Sequence, residues 1–121
     1  MLKYTVLVFA VILLTLSNAL AMADTLVIRS DSIIGNNIGH FIGDQDKDRI
    51  LQSLQSVNFN ESSSWKSVSS GIAYTVKPGS LSNSEQKACR DFTLRFAFRT
   101  MRNELPGTAC QEKGGDWVVV K

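Results

Sequence analysis

The chain has 121 residues, 44% of them apolar, with 13 basic and 11 acidic side chains and a formal net charge of +2. That length accommodates one domain and not two. The near-neutral balance, without any block of like charge, lacks the electrostatic footprint of a nucleic-acid binder.

Residues 1–23 read as a secretory signal. Lys3 supplies the basic start, an apolar run extends from Val6 to Leu14, and Ala21-Met22-Ala23 supplies the small residues before a cleavage point at Ala23/Asp24. A membrane span would need about 20 apolar residues to cross roughly 30 Å of hydrocarbon, and this core is about half that. Removal leaves 98 residues with 12 basic and 11 acidic groups. No cysteine stands near the cleavage point, so the exported protein is expected not to be lipid-anchored.

Residues 24–43 read as a linker helix. Ile33, Ile34, Ile38, Phe41 and Ile42 recur at helical spacing, and Gly35, Gly39 and Gly43 form a small-residue ridge of the kind that lets a second helix approach closely. Each glycine costs a helix about 1 kcal/mol relative to alanine, so a loop with turn glycines stays open as the alternative. The domain proper is expected over 44–121. It opens on Asp44-Gln45-Asp46-Lys47-Asp48-Arg49, with carboxylates where a helix N-terminus favours them, followed by the stripe Ile50, Leu51, Leu54 and Val57. A calcium loop starting at Asp44 would need a glycine where Arg49 stands and a glutamate where Gln55 stands, which excludes the EF-hand.

The period then changes to two. Trp65 to Val68 and Ile72 to Val76 flank Ser70-Gly71, a hairpin signal that sets Trp65 opposite Val76 and Ser67 opposite Tyr74. Pro78-Gly79 is expected to end that strand, leaving Ser80 to Ser84 as loop. In Arg90 to Phe98 the side chains Phe92, Leu94, Phe96 and Phe98 alternate with mostly polar or small ones, a half-buried antiparallel strand. A reversal at Arg99-Thr100 aligns Cys89 with Cys110, Leu94 with Leu105, Arg95 with Glu104 and Phe92 with Gly107. One assumption thus satisfies an apolar, a charge and a cysteine match. Gly114-Gly115 then returns Trp117 to Val120 alongside, with Val118 and Val120 expected on the face of Leu105 and Ala109. The expected fold is α+β: a short N-terminal helix, or two, packed on an antiparallel β-meander of about five strands and held by one disulfide.

Two cysteines in an exported chain imply a Cys89–Cys110 disulfide. A nucleophilic cysteine would want a histidine base, and the sole histidine, His40, lies in the glycine ridge; zinc would want about four ligands. There is no nucleophile elbow, phosphate-cradling glycine loop or His-Glu-x-x-His, so no enzyme activity, metal or cofactor is proposed from sequence. Arg95, Arg99 and Arg102 crowd the disulfide face near the hairpin tip. Their plain reading is a solvated surface with one weak ion pair to Glu104; the sharper one is contact with the phosphate or carboxylate groups of envelope lipids.

Gly35, Gly39, Gly43, the Asp-rich helix start, Trp65, Gly71, Cys89-Arg90-Asp91-Phe92, Gly107-Thr108-Ala109-Cys110 and Gly115-Asp116-Trp117-Val118-Val119 together resemble the rickettsial surface-antigen family of glycine-zipper outer-membrane proteins. The resemblance runs from about Gly35 to Lys121. It implies a non-enzymatic bacterial envelope protein, in the periplasm or at the outer-membrane periphery or cell surface. The expected partners are an envelope protein, an outer-membrane lipid, or a second copy of the chain through the glycine ridge. The alternative function is a soluble periplasmic ligand- or enzyme-binding module, such as an inhibitor.

Overall fold

A computed structural model describes residues 25–56 and 61–121. In it, six strands form one mixed sheet curled into a half-barrel. They are β1 (Leu26–Ile28), β2 (Ser63–Lys66), β3 (Ala73–Ser84), β4 (Lys87–Phe98), β5 (Met101–Gln111) and β6 (Trp117–Val119). Between β1 and β2 come α1 (Ile33–Asn37), a 3-10 turn (Gly39–Phe41) and α2 (Asp44–Gln55). The spatial order is β1-β6-β5-β4-β3-β2, antiparallel from β2 through β6, with β1 joining β6 in parallel.

This corrects the expected α+β meander of about five strands. The fold is mostly β, the sheet is mixed, and only α2 among the described helices exceeds two turns. The missed strand is Leu26-Val27-Ile28. It is too short to show a period, and nothing in three apolar residues ahead of Arg29-Ser30-Asp31-Ser32 names a partner. What makes it a strand is a partner far away in sequence: Trp117 N–H donates to Thr25 C=O (2.8 Å) and Arg29 N–H to Val119 C=O (3.3 Å), bracketing the ladder.

The rest of residues 24–43 is not one helix either. Ser32 caps α1, its Oγ accepting from Gly35 N–H (3.0 Å) and donating to Arg29 C=O (2.6 Å). Gly35 lies in α1, Gly39 opens the 3-10 turn and Gly43 precedes α2, so the three glycines present no common helical ridge. α2 begins at Asp44 as its carboxylates suggest, and Asp46 Oδ2 accepts from Gly43 N–H (3.0 Å). Ile50, Leu51 and Leu54 are buried; Val57, read with them, lies outside the described residues.

The β4–β5 ladder has the pairing read from the cysteines, from Cys89↔Cys110 through Leu94↔Leu105 and Arg95↔Glu104 to Phe98↔Met101. Phe92 stands over Gly107, where a β-carbon would sit 2.6 Å from Phe92 Cζ, so the aromatic ring occupies the space of the missing side chain.

Three local expectations are corrected. In the first hairpin Trp65 pairs with Tyr74 rather than Val76, because the loop is longer: Ser67 N–H donates to Ile72 C=O (2.8 Å) around Val68 to Gly71. A slip of two keeps every side chain on its face. β3 does not stop at Pro78; it passes a bulge between Pro78 and Leu81 and continues to Ser84. The β2 ladder reaches only to Val76, so Pro78 lies beyond it and proline's missing N–H breaks no bond of that ladder. Ala109 pairs with Val119, so Trp117 and Val119, not Val118 and Val120, share the inner face with Leu105.

The core lies between this inner face and the helical segment: Tyr74, Val76, Phe92, Leu94, Leu105, Ala109, Trp117 and Val119 against Leu26, Ile34, Ile38, Ile42, Ile50, Leu51 and Leu54.

Candidate functional site

Two buried polar anchors fasten the helical segment to the sheet. Asp46 is 3% exposed, and its carboxylate accepts from Trp65 Nε1 (2.9 Å) and Ser67 Oγ (2.8 Å) as well as from Gly43 N–H, tying the start of α2 to the first hairpin. Arg90 is 2% exposed on the inner face, opposite Ala109. Its Nη1 donates to Leu54 C=O (3.0 Å) and to Ser56 C=O, and its Nε to Gly79 C=O (3.0 Å). A cation thus meets the negative C-terminal end of α2 and satisfies carbonyls the helix leaves open. Tyr74, also buried, has its phenol pKa raised above 10.0, first by burial and second by the Asp46 carboxylate, with the nearby Ser70 hydroxyl offsetting part of this.

The predicted cysteines are bonded to each other with Cα atoms 4.0 Å apart, on the outer face. Lys87 and Glu112 prolong the same cross-strand line with a 2.8 Å ion pair that raises the lysine pKa through that hydrogen bond and the carboxylate charge. Ala23 and Asp24, the expected cleavage point, lie outside the described residues.

The three arginines are divided. Arg95 faces Glu104 at 3.6 Å on the outer face, both more than half exposed, a pair worth at most about 1 kcal/mol. Arg99 occupies the tight turn with φ +56°, its guanidinium carbon 5.3 Å from the Phe98 ring centroid. Arg102 borders a groove.

That groove opens where the helical cover of the sheet ends. It encloses about 650 Å³ between the 3-10 turn and the β4–β5 hairpin tip, with Ile38, Phe41, Ile72, Phe96, Phe98 and Met101 as its apolar lining. Phe41 is 51% exposed, Phe98 38% and Met101 67%, large apolar side chains gathered at one end of the molecule. Of the alternating side chains Phe92, Leu94, Phe96 and Phe98, which their spacing sets on one inward face, only the first two are fully buried. Sequence reading missed the groove. Its signal was the excess of large apolar positions on β4 over what a helix with three buried apolar residues can cover.

The predicted glycines look inward. A β-carbon at Gly35 would lie 2.0 Å from Arg29 O, so this position admits the chain's own backbone; one at Gly39 would meet nothing closer than 3.6 Å, and one at Gly43 would meet Ser69 Oγ at 3.0 Å. His40 stacks on Phe41 with ring centroids 4.1 Å apart. Among the described residues, no helix is long and apolar enough to cross a membrane.

These features define a small, disulfide-stapled half-barrel domain with an apolar groove at one end. Residues 52–118, from the last turn of α2 into β6, match the family model of the 17 kDa outer membrane surface antigen. The chain belongs to that family, and the family points to the outer membrane surface as its place in the envelope. The glycines and the Asp-rich helix start lie ahead of the matched stretch. No curated protein and no solved structure matches the chain.

Proposed function

We propose that this protein is a non-catalytic contact module of the bacterial envelope, and that its working surface is the groove lined by Phe41, Phe98 and Met101. The observation that carries the proposal is the exposure of those three large apolar side chains together at the mouth of one cavity. Soluble monomers rarely display such a patch unless something covers it. Both cysteines are held in the disulfide and Asp46 is buried among three donors, so none of these three is placed for nucleophilic or acid–base work. The glycines are not the docking element of this reading, since Gly35 is filled by the chain's own backbone.

Fractionation of cells tests the proposal. The protein should sediment with outer membranes, and Met101→Asp, at an exposed position that tolerates a charge, should move it toward the soluble fraction. A wholly soluble wild-type pool, or sedimentation indifferent to Met101→Asp and Phe98→Ser alike, would overturn it.

A further inference from the structure

Resting on that reading, we propose that the groove receives the acyl chain of an anionic phospholipid, with the headgroup phosphate on Arg99 and Arg102. The apolar half of the argument is the lining itself. Three of its polar members are engaged within the chain, leaving Thr100 and Arg102: Asn37 Nδ2 donates to Ile33 C=O (2.7 Å), Asn103 Oδ1 accepts from Glu104 N–H (2.8 Å), and Ser70 Oγ accepts from Ile72 N–H (3.2 Å). The backbone of the β4–β5 wall is paired in its own ladder from Phe96↔Asn103 to Phe98↔Met101. An extended peptide needs free backbone donors and acceptors to dock by strand addition, and this wall offers few. A hydrocarbon chain needs none. The volume, about 650 Å³, is in the ordinary range for a site that encloses a small ligand.

The charged half is the mouth. Glu104 faces Arg95, and neither Arg99 nor Arg102 has a carboxylate partner among the described residues. Arg99 lies over Phe98, which itself lines the groove, while Arg102 borders the cavity directly. Stacking leaves the guanidinium edge free, and that fork geometry suits phosphate oxygens. An apolar slot ending at two unpaired arginines matches a molecule with a hydrocarbon tail and an anionic head.

The test uses the protein purified from cells with its disulfide intact, vesicles of phosphatidylcholine with or without phosphatidylglycerol, and the soluble single-chain lipid lysophosphatidylglycerol. Wild type should float with the anionic vesicles more than with the neutral ones. Arg99→Glu with Arg102→Glu should weaken that binding about tenfold or more, the effect expected when two surface cations are removed. Lysophosphatidylglycerol should shift the Met101 methyl resonance, and Met101→Asp should abolish its binding while circular dichroism shows the fold retained. An unmoved methyl signal, or equal flotation of the charge-reversed variant, would overturn the inference. So would a methyl shift that follows protein concentration rather than lipid, which would assign the groove to a second copy of the chain. Should the protein sediment with outer membranes yet ignore lipid, the inference falls while the contact-module reading stands.

Discussion

Gly35 and Gly39 stand four residues apart and are identical in sequence terms, yet their surroundings differ. A methyl group at Gly35 would run into the Arg29 carbonyl at 2.0 Å, a backbone atom that cannot step aside, whereas at Gly39 the nearest atom is an ordinary 3.6 Å away. Gly35→Ala should therefore cost about 1–3 kcal/mol, the usual range for forcing bulk into a packed site. Gly39→Ala should leave stability unchanged or raise it by up to about 1 kcal/mol by restricting the unfolded chain. Urea midpoints of the two variants decide; equal losses would return both glycines to a shared role. Tyr74 makes a second prediction. Its pKa is raised in the folded state, so the stability associated with it is complete below pH 10.0 and is lost as pH climbs through the higher folded value, where the folded form binds more protons than the unfolded one. Tyr74→Phe should flatten the alkaline part of the stability curve, and an unaltered curve would count against the buried phenol as its source.

At the scale of elements, the β4–β5 hairpin carries the staple, and replacing both cysteines by serine should lower stability by about 3 kcal/mol in the loop-entropy account. Equilibrium unfolding of the double variant checks this. It is also the element most legible in the sequence. Alternation over Phe92 to Phe98, a charge pair and two cysteines each demand the same alignment, and a slip of one residue would violate all three. The second hairpin was hidden for the opposite reason. Its turn, Glu85-Gln86, holds φ +52° and +65° without the glycine or asparagine that normally advertises such a loop, so β3 beyond Pro78 carried no turn signal. Arg90 was silent for another reason. It sits on the inward parity of β4 where a charge is unexpected, and only the carbonyls at the end of α2 explain it.

For the whole molecule, closure depends on β1 meeting β6. Ending the chain at Asp116 would delete Trp117 and Val119, two buried side chains worth about 3–6 kcal/mol between them, and leave Leu26 without its neighbour strand. Typical domains of this size are stable by about 5–15 kcal/mol, so the truncated protein should lose fixed tertiary structure. Near-ultraviolet circular dichroism reports the outcome, and a native-like spectrum would contradict it. The same pairing sets a timetable. Residues 26–28 are synthesised 91 positions ahead of Trp117 to Val119, the segment that completes their hydrogen bonding. A nascent chain must therefore keep that edge unfinished until Trp117 to Val119 are available, and a copy that has lost them has no way to reseal itself against proteases.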